Sequence, residues 1–213
     1  GGSCVLSAYS SSVINLNNHL TTSLGITAQY FTLNKNWTVE PRAALKWSFN
    51  PKHALALAYG LHSRREKLDY YFVEQKVNGK TESNRYLNFS KAHHFGLTYD
   101  WNINSYMHLK VEPYYQYLFR IPVEENSSFS IINHQDFYLD RILKNRGSGV
   151  NYGIDITLEQ YMKNGFYYMI TASLFKSKYK AGDNIWRNTR LDKNYLLNLL
   201  AGKEWMVGRN KQN

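Results

Sequence analysis

The chain has 213 residues, enough for one ordinary domain or a piece of a larger one. Hydrophobic residues make up 43% of it, yet mean hydropathy is -0.52 and no apolar run approaches the roughly 18 residues of a membrane helix, which excludes helical spans. The formal net charge of +10 is scattered over loops and acidic neighbours, without a dense basic stripe carrying interleaved aromatics, so no nucleic-acid partner is expected.

With 18 Tyr, 10 Phe, 5 Trp and only 4 Pro, the composition is β-rich. Strict apolar/polar alternation, the mark of a two-faced strand, recurs along the chain. A weak copy covers residues 4–14. It contains Cys4, the only cysteine, so no intrachain disulfide can form. Cys4 reads as an ordinary small strand residue. No signal-peptide h-region precedes it, so the expectation is a cytoplasmic, mature or partial chain. Residues 20–30 set Leu20, Leu24, Ile26 and Tyr30 against Ser23, Gly25, Thr27 and Gln29. Residues 39–49 set Val39, Leu45, Trp47 and Phe49 against Glu40, Arg42 and Lys46. Residues 53–61 set Leu55, Leu57, Tyr59 and Leu61 against alanines and Gly60. Residues 93–101 set His93, Phe95, Leu97, Tyr99 and Trp101 against His94, Gly96, Thr98 and Asp100.

The stretch YMHLKVEPYYQYL, residues 106–118, alternates most strictly, with Met107, Leu109, Val111, Pro113, Tyr115 and Tyr117 opposite His108, Lys110, Glu112, Tyr114 and Gln116. Residues 150–159 set Ile154 and Ile156 against Asp155, Thr157 and Glu159. Weaker copies follow at residues 166–178 and 195–205. About nine strands of roughly 10 to 13 residues result, longer than the 5 to 6 of globular sheets and matched to a tilted bilayer crossing.

The connections alternate in length. Short turns fall at NLNNH, NPKH, NINS and KNG. Long polar segments cover residues 63–90 and 120–146, with shorter ones near FTLNKN and AGDNIWRNTR. This is the rhythm of an outer-membrane barrel with short periplasmic turns and long outer loops. VNGK inside the first long segment carries an Asn-Gly hairpin signal, and the sheet is expected to extend beyond the membrane there.

Two readings of the faces compete. In a soluble β-sandwich the charged columns would be a solvated face. In a barrel, Leu55, Leu57, Leu97, Leu109, Val111, Ile154 and Ile156 face lipid. Glu40, Arg42, Lys46, His108, Lys110, Glu112, Asp155 and Glu159 then face the lumen, pairing across strands or with a plug. Strand length, loop asymmetry and aromatics toward the strand ends (Trp47, Phe49, Trp101, Tyr115, Tyr117 and Trp205) favour the barrel. Pro41 and Pro113 remove ladder donors inside the pattern, and a local bulge is expected at each. Leu109 is placed near the bilayer midplane. An odd strand count and two open edges in lipid lead to the expectation that residues 1–213 are an internal portion of a larger barrel.

The stretches VEPRAALKWSF, NPKHALALAYGLHSR, KAHHFGLTYD, EPYYQYLFRIPVEENSSFSIIN, LKNRGSGVNYGIDITLEQYMKNGFYYMITASLFKSKYK and RNTRLDKNYLLNLLAGKE cover most of the chain from about residue 18. In them the chain resembles the barrel region of TonB-dependent outer-membrane receptors, in particular the group with a carboxypeptidase-like regulatory domain. The resemblance implies an all-β antiparallel transmembrane β-barrel, here partial: about nine strands of some twenty-two. It also implies a plug domain in the lumen, coupling to the TonB complex, and import of a nutrient such as an iron chelate, cobalamin or glycan. Neither the plug nor the TonB-contacting segment is present in these residues. A passive porin or structural barrel is the alternative, and a soluble sandwich the second.

No catalytic set is legible: there is no Ser-His-Asp arrangement, P-loop or GxGxxG. His93 and His94, adjacent on a strand, point to opposite faces and cannot share a metal. Asp155 and Glu159 lie about 13 Å apart at strand rise, too far for paired-carboxylate catalysis. The reading is therefore no enzyme, no metal and no cofactor. Ligand contacts are expected on the outer loops at Tyr70, Tyr71, Phe72, Trp186 and Arg187, where aromatics and charge meet. The nutrient itself is unspecified.

Overall fold

The computed structural model describes residues 2–205 apart from Asn78 and Phe137. In chain order the described strands are β1 (Val5–Asn17), β2 (Leu20–Phe31), β3 (Asn36–Asn50), β4 (His53–Arg64), β5 (Glu74–Val77), β6 (Lys80–Ser83), β7 (Ser90–Asn104), β8 (Met107–Val123), β9 (Lys144–Lys163), β10 (Phe166–Lys180), β11 (Trp186–Asn188) and β12 (Tyr195–Lys203). Nine of them are the long strands announced by the alternation. They pair antiparallel in the order β1-β2-β3-β4-β7-β8-β9-β10, and β12 lies on the free edge of β10. The sheet stays open, with β1 at one side and β12 at the other. The other described sheet, the two-stranded β5–β6, is too small to cover this wall as the second layer of a sandwich.

Local chemistry closes the short turns, and all of them fall at one end of the sheet. Asn17, Asn50 and Asn104 each accept a backbone N–H two residues on, at 2.8, 2.8 and 3.0 Å, in Asx turns. Between β9 and β10 the two-residue turn is Asn164-Gly165, both with positive φ of 54° and 75°, the combination that a twisted hairpin requires. The connections 32–35, 65–89, 124–143 and 181–194 lie at the other end.

Some details depart from the sequence reading. VNGK does turn a hairpin, with Val77 opposite Lys80, but β5 and β6 form their own two-stranded sheet and do not extend the wall. The wall extends elsewhere, through the 17 residues of β8 and the 20 of β9. Neither proline makes a bulge. The β7–β8 register is unshifted around Pro113, although Leu97 and Thr98 have no bridge partner there, and the β3–β4 ladder ends at Arg42, just past Pro41. A missing N–H breaks a bridge without inserting a residue. Cys4 lies one residue ahead of β1. The stretch GKEWMVGRNKQN, residues 202–213, reads as ending in a short turn, and its residues 206–213 lie outside the described residues.

Register fixes the faces. Leu55, Tyr99, Val111 and Ile156 stand in one row, Leu57 and Leu97 in the next, and Trp101, Leu109 and Leu158 in a third. This face is open: Leu57 is 57% exposed, Trp47 51%, Leu174 56% and Leu199 71%. The opposite, polar face is the covered one. Phe31 on that face is buried with Tyr70, Tyr71, Leu87, Phe89, Leu139 and Leu143 in a core built from the long connections. A soluble sheet buries its apolar face. This wall leaves that face bare and roofs the polar one.

Candidate functional site

The residues expected to face the lumen all lie on the polar face, where Glu40 is buried under the roof and Arg42 and Lys46 stay exposed. Arg42 stands opposite Gly60, Glu112 opposite Asp155, and His108 opposite Glu159. Glu40 is 2% exposed, accepts Gln29 Nε2 at 2.7 Å and pairs with Arg42 at 3.2 Å. Across the β7–β8 pair, His108 Nε2 lies 3.1 Å from Asp100 Oδ1. Lys110–Glu112, at 2.7 Å, and Arg42–Glu40 instead run along one strand, because residues two apart share a face. Lys46, Asp155 and Glu159 make no ion pair among the described residues.

Above this surface the long connections enclose a cavity of about 400 Å³. Its wall side carries His62, His94 and Leu118, and its roof Tyr70, Ile131, Ile132 and His134, with Arg64, Lys67 and Lys91 at its margin. Such a volume, apolar in part with a few polar groups, is that of a small-ligand site. The His62 and His94 rings meet at 4.4 Å. Gly60 makes this possible, since a Cβ there would sit 2.7 Å from His62 Nε2. His134 rests edge-on against Tyr70 and Phe129, and its enclosed Nε2 has no hydrogen-bond partner among the described residues. His93, by contrast, points to the apolar face, stacks on Phe119 and bonds the Tyr59 hydroxyl at 3.0 Å.

Glu66 lies at the base of the roof, 6% exposed, and accepts the Ser90 hydroxyl at 2.7 Å. Burial pushes its carboxyl above the usual range, against the pull of Ser90 and Arg64. Between the ordinary carboxylate pKa and the raised one, the folded loop therefore holds a proton that the unfolded segment has released. Loop stability is full below the ordinary carboxylate pKa and declines as pH rises through the elevated one. Protection factors of residues 65–89, corrected for the intrinsic pH dependence of exchange, should fall over that window and stay flat in Glu66→Gln. An equally steep profile in Glu66→Gln would assign the effect to another group.

The expected ligand residues separate. Tyr70, 4% exposed, lines the cavity and donates its hydroxyl to the Asp136 carbonyl. Tyr71, 1% exposed, is packed edge-on against Phe31 at 5.1 Å, so its side chain holds the roof together and presents nothing to solvent. Phe72 is exposed beside a second hollow lined by Asp69, Tyr70 and Tyr138. Trp186 and Arg187 belong to a different connection, and Arg187 forks onto Asp183 at 2.9 and 2.6 Å. The sequence reading missed His62, Glu66, Ser90 and His134. Only the strand register and the loop path bring them together.

No family model and no curated protein sequence matches the chain. Solved structures do match. The ferric-catecholate import receptor Fiu from K12 E. coli aligns at TM-score 0.70 and 10% identity, over 93% of this chain and 32% of that one. The outer-membrane ferripyoverdine receptor of Pseudomonas aeruginosa, bound to ferripyoverdine, gives 0.69 and 10% over 96% and 26%. The RagAB peptide importer gives 0.59 and 13% over 83% and 22%. The chain shares the fold of part of these proteins' barrel walls. The chain spans about a third or less of the length of these three proteins. Of the named cargoes two are iron chelates and one is peptide, so the barrel wall does not specify what passes through it.

Proposed function

We propose that the chain is part of an outer-membrane receptor that captures a nutrient beneath its outer loops and imports it through a plugged barrel, driven by TonB. The observation that carries this reading is the inverted burial: a bare apolar face, and a polar face roofed by loops that enclose a cavity. The bare face solvates in lipid, and the cavity receives solute from the outer side. The polar face then meets the plug. Binding and displacement suffice, without chemistry on the ligand. An iron chelate, cobalamin or a glycan is the proposed cargo class.

Conductance of the full-length protein in a planar bilayer tests this. A wide barrel blocked by a plug is electrically quiet, whereas a porin leaves an aqueous channel. Quiet membranes that conduct only after the plug is unfolded by urea are the expected result. Steady ohmic channels without urea would replace the reading with a passive porin.

A further inference from the structure

Along β10 the outward column begins with Tyr168, Ile170, Ala172 and Leu174, whose partners on β9 include Leu158, Ile156 and Ile154. It then switches to Lys176, Lys178 and Lys180, opposite Tyr152, Val150 and Ser148. The switch occurs ten residues past Phe166, at the loop end of the strand. At about 3.3 Å per residue and a tilt of ~40°, that is roughly 25 Å above the short-turn end, the height of a barrel's apolar band. Other outward columns carry aromatics at this end, such as Tyr115 and Tyr117 on β8 and Tyr30 on β2.

Little neutralises these lysines. Lys176 reaches the Asn194 side chain and lies 3.9 Å from the Asp192 carboxylate. Lys180 sits over the Trp186 ring at 5.8 Å. Lys178 has no partner among the described residues. Asp183 is already taken by Arg187. The following connection adds Arg190 and Lys193, so residues 176–193 hold six cationic side chains against two carboxylates.

We propose that the ladder of Lys176, Lys178 and Lys180 binds the phosphate groups of outer-leaflet glycolipid. The proposal rests on the outer-membrane reading above. Successive lysines on one strand face stand about 6.6 Å apart at strand rise and present cations along the edge of the apolar band. A phosphorylated diglucosamine lipid places its anions at that level, with its acyl chains against Ile170 and Leu174. Trp186 flanks the ladder as an interfacial aromatic.

The test uses the full-length protein in phosphatidylcholine nanodiscs doped with diphosphorylated lipid A, with bound lipid counted by native mass spectrometry. Wild-type protein should retain lipid A, lose it in high salt, and fail to enrich the dephosphorylated form. Combined Lys176→Gln, Lys178→Gln and Lys180→Gln should lower affinity about a hundredfold, at roughly fivefold per juxtamembrane lysine. Lys52→Gln, at the opposite end, should leave it unchanged. Equal retention by the triple variant and the wild type, both inserted, would overturn the proposal alone. Failure of wild-type protein to insert would overturn the outer-membrane reading and the proposal with it.

Discussion

Replacing Leu57 with Arg should block assembly of the full-length protein into the membrane, at a cost of about 2–4 kcal/mol for a cation near the bilayer midplane. Leu57 is 57% exposed on the bare face and stands between Leu45 and Leu97. On the same strand pair, Leu55 faces Tyr99 below it and Tyr59 faces Phe95 above it, so the leucine rung lies between aromatic ones. The sequence reading put the deepest position at Leu109. In the structure Leu109 is the third residue of β8 and lies beside Trp101, close to the short-turn end. Leu109→Arg should therefore cost about 0–1 kcal/mol, as for a cation near the interface. Lys110→Ala removes a half-exposed pair with Glu112 and should cost less than about 1 kcal/mol. The fraction of folded protein recovered in outer membranes orders the three variants. If Lys110→Ala proved the most damaging, the bare face would be the wet one.

The wall was legible because alternation is a local property. Each residue's face follows from counting by two along its own strand, and turn residues such as Asn50 and Asn164 mark where the count restarts. Depth was not legible in the same way. Leu109 reads as central within its apolar run, but β8 begins at Met107, and only the turn at residues 105–106 shows how shallow it is. The prolines were misread for a similar reason: their cost falls on a neighbouring strand, and sequence names no neighbour.

The cavity was the least legible part. Its residues come from β4, β7, β8 and two connections, and their proximity depends on pairing. His62 and His94 are 32 positions apart and meet only because Gly60 stands opposite His94 in the β4–β7 register. Aromatic content drew the sequence reading to DYYF, and it did locate the roof. It could not tell the side chain that supports the roof from those that face outward, because Leu68–Phe72 form a 3-10 turn, which does not alternate by two.

That distinction sets the second large effect. Tyr71→Ala should cost about 3–5 kcal/mol of roof stability, the usual loss for deleting a large buried aromatic. The ring is 1% exposed and packs on Phe31, and its hydroxyl accepts the Glu66 N–H at 3.3 Å. Amide exchange should accelerate across residues 65–89 and 124–143 together, since Leu87, Phe89, Leu139 and Leu143 share that core. The ladders of β8 and β9 should keep their protection, because no wall hydrogen bond passes through Tyr71. Tyr71→Phe, which loses only the hydroxyl, should cost about 1 kcal/mol. Phe72→Ala should leave exchange unchanged, as that ring is 56% exposed. A loss of nutrient uptake in Phe72→Ala would then report contact, whereas the same loss in Tyr71→Ala would follow from an opened roof. Uptake lost in Tyr71→Ala with exchange intact would reverse this assignment and return Tyr71 to the ligand surface.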